Sequence, residues 1–258
     1  MLVDSHCHLE YEGLVDDQPG VLARARAAGV RAFLNISTKR DEWDRVIATA
    51  EREADVYASV GVHPHHADDH GDLTEVDLMA AAAHPKVVGL GETGLDYYYE
   101  NSSREAQQRL FRRHIAVSRQ TSLPVIIHTR DAEADTLAIL SEEMAHGAFP
   151  ALIHCFTASE EFGKRVLELG LAISISGIAT FKSASELAEF AARIPADRLL
   201  VETDSPFLAP VPHRGRPCEP AFVADTARFL AERRGVSLED LGVETTRNFY
   251  RLFTKVAA

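Results

Sequence analysis

The chain has 258 residues, 46% of them hydrophobic and 26% charged, a balance that suits a soluble globular protein with a sizeable core and argues against disorder. Its formal net charge of -12 excludes a broad basic face that coats nucleic acid, though not a local site where bound divalent cations reverse the field. Met1-Leu2-Val3-Asp4 turns polar at once, without the charged and apolar regions of a signal peptide, and no run is apolar enough to span a bilayer.

In chain order, short apolar runs that read as buried parallel strands alternate with amphipathic stretches that read as helices. Leu2 to Val3 is a strand and Val21 to Ala28 a helix; Ala32 to Ile36 is a strand and Glu42 to Glu53 a helix. Strands at Val56 to Val60 and Val87 to Gly91 precede a helix at Arg104 to Gln120. Then come Val125 to Ile127 with a helix at Ala134 to Ala145, Ala151 to Ile153 with a helix at Glu160 to Leu169, and strands at Leu171 to Ile175 and Leu199 to Val201. Pro220 to Arg234 and Leu238 to Phe253 read as terminal helices. This alternation predicts a (β/α)8 TIM barrel, one domain over residues 1–258, with a doubly wound open sheet as the alternative because periodicity does not give strand order. The dispersed thiols Cys7, Cys155 and Cys218 have no zinc-ribbon or redox spacing, which points to a reducing, cytoplasmic compartment.

The residues with chemistry fall just beyond the apolar runs, where a parallel barrel builds its active site. In Asp4-Ser5-His6-Cys7-His8, extended backbone puts His6 and His8 on one side, able to converge on one ion, or to stand as a polar loop. Glu92, His128, His154 and Asp204 each end a later strand. Six imidazoles and carboxylates exceed what one catalytic zinc needs, so two divalent ions are expected, with the two oxygens of Glu92 as a bridge.

Asp4 to His8, Gly61-Val62-His63-Pro64-His65, Gly91 to Tyr97, Pro124 to Asp131, His154-Cys155-Phe156-Thr157 and Glu202-Thr203-Asp204-Ser205-Pro206 together resemble the TatD family of metal-dependent deoxyribonucleases, from residue 3 to about Phe253. The resemblance implies that His6, His8, Glu92, His128, His154 and Asp204 are metal ligands. It further implies an exonuclease acting 3′ to 5′ on single-stranded DNA or DNA ends. The ions can be zinc, manganese, magnesium, iron or nickel, and nothing in the sequence implies an obligate protein partner. The sequence departs from the family at Cys218, where asparagine is usual, and at Ala158, where glycine is common.

Within that reading, Glu92, Asp204 and His63 are the catalytic candidates: Asp204 to orient water and take its proton, His63 to donate to a phosphate oxygen or leaving group. Glu202 shares strand parity with Asp204 and is expected behind a ligand histidine. Arg130, His213 and Arg214 are candidate phosphate clamps, and Tyr97, Tyr98, Tyr99 and Phe156 candidate stacking surfaces. His65, His66 and His70, among Asp68, Asp69 and Asp72, read as a solvated loop. Two rivals stand beside the nuclease. One is an amidohydrolase-type enzyme splitting a C–N, ester or phosphotriester bond, the other a barrel that binds metal or nucleic acid without turnover. Many amidohydrolases bridge their ions with a carboxylated lysine on the fourth strand, where this chain has Glu92.

Overall fold

A computed structural model of the chain describes residues 1–256; the last two positions of the expected 1–258 unit lie outside the described residues. Eight strands pair in parallel in consecutive order: β1 Leu2–Cys7, β2 Val30–Asn35, β3 Val56–Val60, β4 Val87–Asp96, β5 Val125–Arg130, β6 Ala151–Ile153, β7 Ala172–Ile175 and β8 Leu199–Val201. Consecutive order excludes the doubly wound alternative, whose strand order reverses at a switch point. The sheet closes just past β8, where Cys7 bridges Ser205, the His8 N–H donates to Ser205 O at 2.8 Å and the Asp204 N–H to His6 O at 2.9 Å. The seam of the barrel therefore runs through His6, His8 and Asp204, three of the residues expected from the sequence to carry its chemistry.

Helices α1 Gln18–Ala27, α2 Trp43–Arg52, α3 Glu75–Ala82, α4 Arg104–Thr121, α5 Glu133–His146, α6 Glu160–Glu168, α7 Ser185–Arg193, α8 Val223–Arg234 and α9 Leu238–Leu252 accompany the strands. None of the described helices is long and apolar enough to cross a membrane. Sequence periodicity left out α3 and α7. α3 instead starts on a capping box in which Thr74 Oγ1 accepts from the Asp77 N–H and Asp77 Oδ2 from the Thr74 N–H.

Along β5, β6 and β8 the inward positions change character from one end to the other. Ile126, Leu152 and Leu200 belong to a buried apolar cluster, and the next residues of the same parity are His128, His154 and Glu202. That cluster also takes Val3, Leu34 and Val88 from other strands and Phe249 and Phe253 from α9 and its end. Both phenyl rings are fully buried, and burial of each stabilises the fold by roughly 1.5–3 kcal/mol. Several strands run further than their apolar residues suggested, β4 to Asp96 and β5 to Arg130. Backbone pairing continues under polar side chains, because the ladder is satisfied whatever the side chains point at. Gly94 permits this close pairing: at φ 133°, its absent Cβ would stand 2.0 Å from His128 O.

Candidate active site

The open C-terminal end of the barrel holds a cavity of about 660 Å³, lined among others by His8, His63, Glu92, His128, His154 and Asp204. His6 lies within β1 and His8 just beyond it, with their Nε2 atoms 3.2 Å apart. Asp204 Oδ1 is 3.5 Å from His6 Nε2 and 3.3 Å from His8 Nε2, and Glu92 Oε2 is 3.5 and 3.8 Å from the same two atoms. Four donors set tetrahedrally at ~2.1 Å around one ion stand ~3.4 Å apart, which is the spacing found here. Asp204 reaches this position from a left-handed backbone, φ 59°, a conformation aspartate tolerates better than most residues.

The other oxygen of Glu92 faces a second group. Oε1 lies 2.8 Å from His154 Nε2 and 3.2 Å from His128 Nδ1. His63 Nε2 also approaches it, at 3.4 Å, so that His63, Glu92 and His128 come close enough together to chelate. A hydrogen bond argues against that role for His63: its Nδ1 accepts from the His65 N–H at 3.1 Å, which places the proton of the neutral ring on Nε2. A protonated Nε2 has no lone pair for an ion and is instead a donor aimed into the site. Burial, the dominant cause, pushes the pKa of His63 down to about 4, so the neutral ring prevails near neutrality.

Carboxylates stand behind the two histidines of the second group. Asp96 Oδ2 is 3.0 Å from His128 Nε2 and 2.9 Å from His65 Nε2, while its Oδ1 accepts from the backbone N–H groups of Tyr98 and Tyr99. Gln107 on α4 grips the Asp96 backbone on both sides, accepting from its N–H and donating to its carbonyl. With Nε2 engaged by Asp96, His128 presents Nδ1 to the site. Burial would raise the Asp96 carboxyl, but His128, His65 and the Tyr99 N–H outweigh it and hold its pKa well below the usual range. Glu202, fully buried and bonded by the Ser174 hydroxyl, has Oε1 3.4 Å from His154 Nδ1. This contact lacks hydrogen-bond alignment, and both atoms are without a hydrogen-bond partner among the described residues.

Under β1, Asp4 ties the seam together: its carboxylate accepts from the Thr203 N–H at 2.9 Å and the Thr203 hydroxyl at 2.6 Å. Complete burial drives its pKa up to about 8 against those bonds.

The donor set itself tests whether a metal fits. Buried imidazole nitrogens and carboxylate oxygens converge with their lone pairs facing one another, the Nε2 atoms of His6 and His8 standing only 3.2 Å apart. Such a cluster is costly without a cation at its centre, and an all-N/O set is what borderline and hard divalent ions accept. The thiols near it are engaged elsewhere, Cys7 Sγ with Leu34 O and Cys155 Sγ with the Ser176 hydroxyl. Burial works against ionisation of Glu92, yet the charge of His154 and the hydrogen bonds of His128 and His154 more than offset it and keep the carboxyl well below its ordinary pKa. His154 is shifted well upward, burial opposing and Glu92 and Glu202 prevailing.

The substrate residues expected from the sequence fare unequally. Arg130 lines the cavity. Phe156 does not: it is 1% exposed and packs on Phe162 and Phe190, because the chain beyond β6 tucks this ring into the layer between sheet and helices. Tyr97 turns outward, its hydroxyl donating to Asp135 Oδ2 and accepting from Gln108, with Arg104 over its ring. His213 stacks on Phe222 and pairs with Asp225, and Arg214 lies over Phe181; neither lines the cavity. His65, read from sequence as part of a solvated loop, is bonded to Asp96 beside the site. Sequence reasoning also passed over Asp96, although its parity with Glu92 on β4 could have flagged it. It missed Tyr11 and Phe207, for which no sequence pattern gives a signal.

Residues 3–254 match the family described as TatD related DNase. The Escherichia coli K12 metal-dependent hydrolase YcfH is 48% identical over 255 residues, covering 98% of this chain and 95% of YcfH. The 3′-5′ ssDNA/RNA exonuclease TatD of Cronobacter turicensis is 36% identical, covering 94% of each chain. Among solved structures, the TatD homologue YjjV of Escherichia coli superposes with a TM-score of 0.91 at 29% identity, over 98% of both chains. A match along nearly the whole sequence, together with a barrel of the same architecture, leaves one assignment: the chain belongs to the TatD related DNase family.

Proposed function

We propose that this chain is a metal-dependent hydrolase that removes nucleotides from the 3′ end of single-stranded DNA, using two divalent ions held by His6, His8, Glu92, His128, His154 and Asp204. The observation that carries this reading is the division of Glu92, with Oε2 toward His6 and His8 and Oε1 toward His128 and His154. A carboxylate placed between two separate donor groups would help to hold an ion in each. The exonuclease named in Cronobacter turicensis supports the substrate class.

Bound there, a divalent pair would lower the pKa of a water and offset charge on a phosphodiester. The chain's own groups do the rest. Asp204, 16% exposed at its side chain, orients the attacking water and accepts its proton. His63 donates a hydrogen bond through Nε2–H to a phosphate oxygen, a role open to a neutral ring. Asp96 fixes His128, and Glu202 faces His154, so that each presents one nitrogen. We place this single-domain enzyme in the cytoplasm, in keeping with its free thiols.

The test is incubation of purified protein with end-labelled single-stranded DNA in magnesium, manganese, zinc, iron or nickel, beside matched RNA, cyclic amides and lactones. Stepwise shortening from the 3′ end that is lost in Asp204→Ala supports the reading. Turnover of amides or lactones with intact DNA moves the enzyme to the amidohydrolase class, and cleavage retained by the variant removes the assigned site.

A further inference from the structure

The cavity beside the candidate centre has two unlike walls. On one, Phe207 is 50% exposed and meets Tyr11 edge to face, with ring centroids 6.0 Å apart. Tyr11 in turn stacks on His8 at 4.7 Å and is anchored by a 2.7 Å hydrogen bond from its hydroxyl to Thr38. Ile178 and Leu208 line the cavity too and add apolar surface. On the other wall, Tyr99 is 51% exposed and Arg130 lies over two tyrosine rings, 4.0 Å from the centroid of Tyr98 and 4.8 Å from that of Tyr99. Arg130 is the one lysine or arginine lining the cavity, and it makes no ion pair among the described residues. Tyr98 and Tyr99 on the second wall were among the aromatic residues the sequence suggested, whereas Tyr11 and Phe207 on the first were not.

We propose that Phe207, backed by Tyr11, stacks the base of the terminal nucleotide, and that Arg130 on its tyrosine platform takes the first phosphate upstream of the scissile one. This rests on the nuclease reading above and adds to it a direction across the site. A terminal nucleoside brings one uncharged aromatic face and no phosphate beyond the one being cut, which matches a wall with aromatic surface and no cation. The strand that remains brings a further negative charge with each nucleotide and must leave toward solvent. Only the Arg130 wall offers a cation, held over exposed rings where a guanidinium can still bind phosphate oxygens. The reverse orientation would send the charged strand past Phe207 and leave Arg130 against an uncharged base. His63 and His65 lie on the Arg130 side, where His65 meets the Tyr99 ring at 5.2 Å. The donor Nε2–H of His63 therefore falls on the upstream side of the scissile phosphate.

Both side chains are exposed enough that their replacement leaves the core intact. The experiment measures kcat/KM for the metal-loaded enzyme on 5′-labelled oligonucleotides ending in a normal 3′ nucleotide or in an abasic residue, and on a dinucleoside monophosphate beside a trinucleotide. Phe207→Ala is expected to slow removal of the normal end roughly 5-fold or more, at the lower edge of base–aromatic stacking, and to leave the abasic end unchanged. Phe207→Trp restores the preference. Arg130→Ala is expected to slow the trinucleotide but not the dinucleoside monophosphate, which has no upstream phosphate, and to flatten the salt dependence on the longer substrate by roughly 0.7 in log–log slope. Equal effects of Phe207→Ala on normal and abasic ends, or equal effects of Arg130→Ala on both lengths, overturn the assignment while the nuclease reading stands. Wild-type enzyme that cleaves no oligonucleotide removes both.

Discussion

The two ends of this barrel are built on opposite principles. At the N-terminal end, Phe249 and Phe253 close the interior against Val3, Leu34, Val88 and Ile126 in one buried apolar cluster. At the C-terminal end, the same inward rows continue as His128, His154 and Glu202, and His6 Nε2 and His8 Nε2 stand 3.2 Å from each other and 3.3–3.8 Å from Glu92 Oε2 and Asp204 Oδ1. Asp131, Cys155 and Asp204, all at the strand ends of this rim, also adopt left-handed backbones. One end supplies stability and the other gives some of it up for reactivity. Lone pairs held together before a ligand arrives are poorly satisfied, and for that reason ready to bind.

If this division is right, substitutions at the two ends should separate activity from stability. The largest expected effect is on the rim. Asp204→Asn, which keeps shape but removes the proposed proton acceptor and weakens a donor, should lower the rate of DNA shortening by ~10²–10⁴-fold with the fold intact. Single-turnover assays with a matched thermal melt check both halves of that statement. At the closed end, Phe253→Ala should cost about 3–5 kcal/mol of unfolding free energy in a denaturant titration, with kcat of the folded fraction unchanged. An equal loss of kcat would mean that the ends are not independent.

His114 offers a test of the wall just behind the rim. This fully buried ring donates from Nδ1 to Leu110 O at 2.8 Å and accepts at Nε2 from the Val62 N–H at 3.3 Å. Both positions are served by the neutral ring, and burial pushes its pKa down from 6.5 to about 4. Above pH 6.5 the ring is neutral whether the chain is folded or not, and its contribution is complete. As pH falls from 6.5 toward about 4 the unfolded chain takes up a proton that the folded one refuses. Stability should drop by ~3 kcal/mol across that window. Denaturant titrations in a pH series should show this acid limb flattened in His114→Gln. The smallest expected effect is that of Asp96→Asn, which should weaken zinc or manganese binding ~10–100-fold in a calorimetric titration, since His128 loses the carboxylate that fixes its ring.

The architecture was legible because a parallel barrel repeats one pattern, and runs such as Ala151–Ile153 and Leu199–Val201 are apolar on both faces. His6, His8, Glu92, His128, His154 and Asp204 were legible for a related reason: each is a donor residue at or beside the end of such a run, and they do come together. Asp96, Tyr11 and Phe207 were harder to find. Asp96 lies four residues beyond Glu92 on a strand that appeared to stop at Gly91, and an exposed phenylalanine in a loop has no period to betray it. Phe156 misled in the opposite sense, since nearness to His154 in sequence says nothing of which way the chain turns after a strand.

Sequence alone determined the alternation of strand and helix, the kinds of donor available and the strand ends where they sit, because those depend on residue type and local periodicity. Tertiary structure alone decided that the sheet closes at Cys7 and Ser205, that Glu92 divides its oxygens between two groups, and that Phe207 rather than Phe156 faces the cavity. These depend on distances between segments up to about two hundred residues apart, which are set by register and closure of the barrel and by no property of a segment taken singly.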